Sequence, residues 1–134
     1  MFHPQGNGSV LLVAVFAIAL MSVLTIGIVE MHSEEIQLMQ NQVNAAQALT
    51  VAEAGLNDAF AEIRNNSSWT TGFTGKSFPG CGTYTVTVTG ALPNRTIIST
   101  ATTSLGFTAR ERADVTIGSS NPYVIRVDSL RINE

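Results

Sequence analysis

Twenty consecutive residues, Val10 to Val29 (VLLVAVFAIALMSVLTIGIV), carry no charge and no proline. A helix rises about 1.5 Å per residue, so this run is about 30 Å long, the thickness of a bilayer's hydrocarbon core. Nothing later in the chain resembles a second span. The run predicts a single anchor near the N-terminus, preceded by a short polar stretch that ends in Gly6-Asn7-Gly8-Ser9.

The segment does not read as a secretory signal peptide. Such a peptide has a basic n-region, an apolar stretch of about 7–15 residues and a small-residue cleavage site behind it. Here the apolar run is longer and continues into Glu30-Met31-His32-Ser33-Glu34-Glu35 without a break. The first Lys or Arg is Arg64, so the basic flank of an ordinary signal anchor is missing. With Glu30, Glu34 and Glu35 behind the span the charge gradient points the N-terminus inward and the rest of the chain outside the cytoplasm, but weakly, because acidic residues contribute little to orientation.

Residues 9–64 read as one helix. They contain no Pro and are rich in Ala, Gln, Glu and Leu, which favour helix. At ~1.5 Å per residue they span about 84 Å, so most of the helix lies outside the membrane. Gly27 and Gly55 are its weak points, each costing about 1 kcal/mol relative to Ala. Asn65-Asn66-Ser67-Ser68 is the expected stop.

The half beyond the membrane has two apolar faces. Ile36, Met39, Val43 and Ala46 follow one helical stripe. Leu49, Ala52, Leu56, Phe60 and Ile63 follow a second, turned about a third of a turn from the first at ~100° per residue. A coiled coil would keep one seam. The lower stripe is therefore expected to pack on other helices, and the upper one on the chain's own C-terminal domain.

Residues 65–134 form one small domain, too short to bury a thick core alone. Trp69 to Gly82 (WTTGFTGKSFPGCG) reads as a loop whose aromatics, Trp69, Phe73 and Phe78, cover a core edge. An exposed binding patch is the alternative for them. Thr83 to Thr89 alternates strictly, with Tyr84, Val86 and Val88 on one face. Thr96 to Thr103 is a second, β-branched strand. From Phe107 to Ile117 a third strand puts Ala109, Glu111, Ala113, Val115 and Ile117 on one face; the charge at Glu111 predicts a bulge or a strand end there. Tyr123 to Ile132 is a shorter, more polar strand suited to an edge. The expected fold is α+β: a long helix laid over an antiparallel sheet of three to four strands. Leu56, Phe60 and Ile63 should be buried against Tyr84, Val86, Val88, Val115 and Ile117.

No catalytic, cofactor or metal constellation emerges from the pattern. His3 and His32 flank the apolar run, no Ser, His and Asp cluster as a triad, and no glycine-rich phosphate loop is present. The single cysteine, Cys81, cannot form an intrachain disulfide. A net charge of −3 without a basic cluster argues against nucleic acid as a main partner.

Three stretches carry a family resemblance: Gly8-Ser9-Val10-Leu11-Leu12-Val13, then Met39-Gln40-Asn41-Gln42-Val43-Asn44, and then Ala48 to Ala59 (ALTVAEAGLNDA). Together they resemble type IV pilins and pseudopilins, most closely the PilX-type minor pilins and the related large pseudopilin of type II secretion. The resemblance covers Gly8 to Ala59; the β region is similar only in style. It implies a leader, 1–8, removed by a prepilin peptidase between Gly8 and Ser9. It also implies a non-catalytic filament subunit held in the inner membrane by residues 10–29 before assembly and found at the cell surface after it. Its partners would be other pilin subunits, the inner-membrane assembly machinery, the peptidase and membrane lipid. Two features depart from the family. The acidic residue usual at the fifth mature position is replaced by Val13, or by Leu11 if cleavage follows Gly6, and the leader has no Lys or Arg. The alternative is a single-pass anchored protein that displays a small extracytoplasmic binding domain.

Overall fold

A computed structural model describes residues 7–133 of the chain. Most of the expected leader, residues 1–6 with His3 among them, lies outside the described residues, as does Glu134. One helix, α1 (Asn7–Asn65), is followed by five strands: β1 (Phe73–Phe78), β2 (Gly82–Thr89), β3 (Asn94–Thr103), β4 (Thr108–Ile117) and β5 (Ile125–Ile132). The strands form one antiparallel sheet in sequential order, β1-β2-β3-β4-β5. The architecture is the expected α+β type. The chain divides into two compact units, residues 1–40 and residues 41–134.

In the first unit the described residues are helical throughout, and from Gly8 to Gln40 all are exposed. Val10, Leu12, Phe16, Ile18, Met21 and Val23, spread round the whole helix, are each more than half exposed. A helix apolar on every side is suited to lipid or to other helices rather than to water.

The second unit holds the core. Along β2 the side chains of Tyr84, Val86 and Val88 point to the helix; along β4 those of Ala109, Glu111, Ala113, Val115 and Ile117 do the same. Alternation follows from the two-residue period of a strand. Between them β3 contributes Arg95, Ile97, Ser99, Ala101 and Thr103. Register aligns these residues in rows across the sheet: Tyr84–Ala101–Ala109, Val86–Ser99–Glu111 and Val88–Ile97–Ala113. Gly55 of the helix comes close to Ser99 of the middle strand and to Tyr84.

The helix meets the sheet with Ala48, Val51, Ala52, Gly55, Leu56, Ala59 and Ile63, all buried. This stripe is turned by about one residue from the expected one. Leu49 and Phe60 fall on its flanks and are half-buried. The stripe mixes small residues, Ala48, Ala52, Gly55 and Ala59, with the larger Val51, Leu56 and Ile63. At Gly55 a Cβ would stand 2.3 Å from Ser99 Oγ and 2.9 Å from the Tyr84 ring, so only glycine fits. Of the eight expected core residues, Leu56, Ile63, Tyr84, Val86, Val88, Val115 and Ile117 are buried as anticipated; Phe60 is corrected to a flanking position.

Two further corrections concern strands. The expected loop contains β1, which raises the sheet to five strands. Its sequence, FTGKSF, shows no alternation because the strand lies on an edge and its pairing slips between Phe73 and Lys76, beside Gly75 with φ +56°. Gly72 before it has φ +69° and sits against the Val86 carbonyl. The bulge expected at Glu111 is absent. Glu111 pairs regularly with Ser99 and Ile132, and the irregularity falls three residues later, between Asp114 and Val115 opposite β5.

Candidate functional site

The apolar run sets the first candidate surface. Its two hydroxyls are satisfied within the helix: Ser22 Oγ donates to the Ile18 carbonyl at 2.8 Å and Thr25 Oγ1 to the Met21 carbonyl at 2.7 Å. Such back-bonding lets Ser and Thr sit in hydrocarbon without an outside partner. The run is long and apolar enough to cross a membrane. Directly after it, His32 Nδ1 lies 3.6 Å from Glu35 Oε2 on the exposed helix surface. Gly8 and Ser9, the expected processing step, are exposed in the first turns of α1, with open space where a Gly8 Cβ would stand. Positions Leu11 and Val13 are exposed and apolar.

The residues of the expected assembly face are all exposed. Ile36 and Met39 in the first unit are 51% and 59% exposed; Val43, in the second unit, is 66% exposed and Ala46 beside it is exposed too. None of the four joins the core, which leaves the lower stripe free for contacts outside the chain.

A polar clamp fastens β1 to the helix. Asp58 Oδ2 accepts from Lys76 Nζ at 2.6 Å and from the Tyr84 hydroxyl. Lys76 Nζ also stands 4.4 Å from the centre of the Phe73 ring. Phe73 in turn meets Trp69 at 5.2 Å and Tyr84 edge-on at 6.2 Å. The hydrogen bonds from Lys76 and Tyr84 hold the Asp58 carboxyl below its usual range. The Lys76 ammonium is raised, chiefly by the hydrogen bond to Asp58, and the Tyr84 hydroxyl is raised, chiefly by burial. Trp69, Phe73 and Phe78 thus cover a core edge, the first of the two readings of these aromatics.

The third feature is a buried acid. Glu111 is 1% exposed and neither carboxyl oxygen has a hydrogen-bond partner. Burial pushes its carboxyl up, and the charge of Glu53 on α1 pushes it further. Glu111 lines a groove of about 220 Å³ between α1 and β5, together with Leu56, Phe60, Val127 and Leu130. No Lys or Arg lines this groove.

Glu111 had a visible signal, a charge on an apolar face, but regular pairing buried it instead of breaking the strand. The small-residue stripe has little signal in the sequence, since Ala and Gly are weakly apolar beside Leu and Phe. Nothing in the local sequence around Lys76 points to Asp58, 18 residues away. Comparison of the chain with protein-family models, with curated proteins and with solved structures finds no match.

Proposed function

We propose that this chain is a minor pilin or pseudopilin, a non-catalytic subunit of a type IV pilus or of a type II secretion-like filament. Its apolar helix would anchor it in the inner membrane and then pack among the helices of a filament core. The observation that carries this reading is the helix itself. It is apolar on every side over residues 10–29, and its last turns are laid on a small antiparallel sheet. The exposed stripe of Ile36, Met39, Val43 and Ala46 supports it, since these residues have no partner within the core. A prepilin peptidase would cut between Gly8 and Ser9; other pilin subunits, the assembly machinery and lipid would be its partners.

Val43→Lys tests the reading. Val43 is exposed, so the domain should fold as before. In a filament the Lys would be buried among apolar helices without a partner, at a cost of several kcal/mol. The variant is expected in membranes and missing from sheared surface filaments. Equal amounts of variant and wild type in filaments would refute an assembly role for this face.

A second reading rests on one observation. The residue that would stand fifth after cleavage is Val13 or Leu11, neither of which can ionise. A single-pass protein that stays in the membrane and displays the β domain has no need of an acid there. Absence of the wild type from every filament would favour it.

A further inference from the structure

The pleat of β5 carries an apolar face that the helix does not cover. Ile125, Val127, Leu130 and Ile132 stand opposite Ile117, Val115, Ala113 and Glu111, all of which point toward α1. The irregular pairing opposite Asp114 and Val115 keeps Val127 and Leu130, three residues apart, on this same face. Even so, Val127, Leu130 and Ile132 are 48%, 55% and 49% exposed. β5 is also the last strand of the sheet, so one row of its backbone groups has no strand beside it. Between this face and α1 lies the groove that Glu111 lines.

We propose that the groove between α1 and β5 is a docking site for an extended segment of a partner protein, which pairs with the edge of β5, lays apolar side chains on Val127 and Leu130, and places a Lys or Arg on Glu111. Charge complementarity selects this occupant. A buried carboxyl without a partner is costly, and a cation that reaches it offsets that cost. Glu53 adds a second acid beside it. The reach is adequate: an added strand lies about 4.8 Å beyond β5 and about 9.6 Å from β4, a gap that an extended Lys and an extended Glu side chain bridge together. Its long methylene stem would cross the apolar floor on the way. Strand addition supplies affinity through the main chain, and the cation supplies specificity. The site would serve a filament subunit and a displayed receptor alike, so it goes beyond the assembly reading and does not depend on it.

The test uses the full chain in zwitterionic detergent micelles and three fluorescent seven-residue peptides of alternating Val and Thr, with Lys, norleucine or Glu at the centre. Fluorescence anisotropy gives the affinities. The Lys peptide should bind, the norleucine peptide more weakly, and the Glu peptide not at all. Glu111→Gln keeps the shape and removes the charge; it should weaken the Lys peptide roughly tenfold or more and leave the norleucine peptide unchanged. Leu130→Asp, at an exposed position that spares the fold, should abolish binding of the Lys peptide. Equal affinity for the Lys and norleucine peptides, or a Lys peptide indifferent to Glu111→Gln, would overturn the proposal. So would concentration-dependent dimerisation abolished by Glu111→Gln with no peptide binding, which would assign the groove to a second copy of the chain.

Discussion

Gly55 reverses the usual cost of a glycine inside a helix. By propensity alone Gly55→Ala should stabilise the helix by about 1 kcal/mol. The new methyl would instead stand 2.3 Å from Ser99 Oγ and 2.9 Å from the Tyr84 ring. Overpacking of this kind costs typically about 1–3 kcal/mol, so urea unfolding of Gly55→Ala should show a net loss. Gly27→Ala, with nothing within 4 Å, should show none. Glu111 makes a prediction in pH. Its carboxyl is raised in the folded state by burial, then by Glu53. Below the ordinary glutamate range both folded and unfolded chains hold the proton and there is no penalty. As pH rises through that range the unfolded chain ionises first, so stability falls until the raised native value is passed. Glu111→Gln cannot ionise there, and its melting temperature should gain on the wild type as pH increases from about 4. A constant difference between the two across pH would show that the carboxyl is not shifted. Asp58 has the opposite sign: its lowered carboxyl favours the fold above the ordinary aspartate range, and that contribution is lost as pH falls through the native value.

Helices and strands with a clear period were legible in the chain. The alternation from Tyr84 to Val88 and from Ala109 to Ile117 matches β2 and β4, and Asn65 closes the helix where turn-forming residues begin. What was not legible depends on contacts distant in sequence. β1 has four exposed residues out of six and a slipped register, so neither face carries a pattern. The buried helix stripe lies one residue from the one that the large side chains mark, because Ala48, Ala59 and Gly55 are buried while Leu49 and Phe60 stand on the flanks. Ala48, Ala52, Gly55 and Ala59 are all buried, and at Gly55 even a Cβ would meet Ser99 and Tyr84. This difference changes the expected energies. Ile63 is fully buried, so Ile63→Ala should cost about 2–5 kcal/mol in urea unfolding. Phe60 is on the flank, and Phe60→Ala should cost less than the ~3–5 kcal/mol of a fully enclosed aromatic. If Phe60 proves the costlier of the two, the flanking position is wrong.

Across the whole molecule, every buried apolar residue from Ala48 to Ile117 belongs to the unit of residues 41–134. A fragment of those residues should therefore fold cooperatively without detergent, with the urea midpoint that the full chain shows for this unit. A fragment that melts gradually would mean that the core needs the apolar segment. The candidate site was half visible from sequence: the exposed lower stripe followed from periodicity, whereas the groove beside β5 exists only once β4 and β5 are paired. The sequential strand order has one more consequence, which concerns the order of synthesis. Ile63 leaves the ribosome well before Ile117, a wait of several seconds at roughly 5–20 residues per second. Throughout that interval the inner face of the helix has no sheet to cover it. That face carries Val51, Leu56 and Ile63 beside its alanines and Gly55, so the nascent chain holds an uncovered apolar stripe until β4 has emerged.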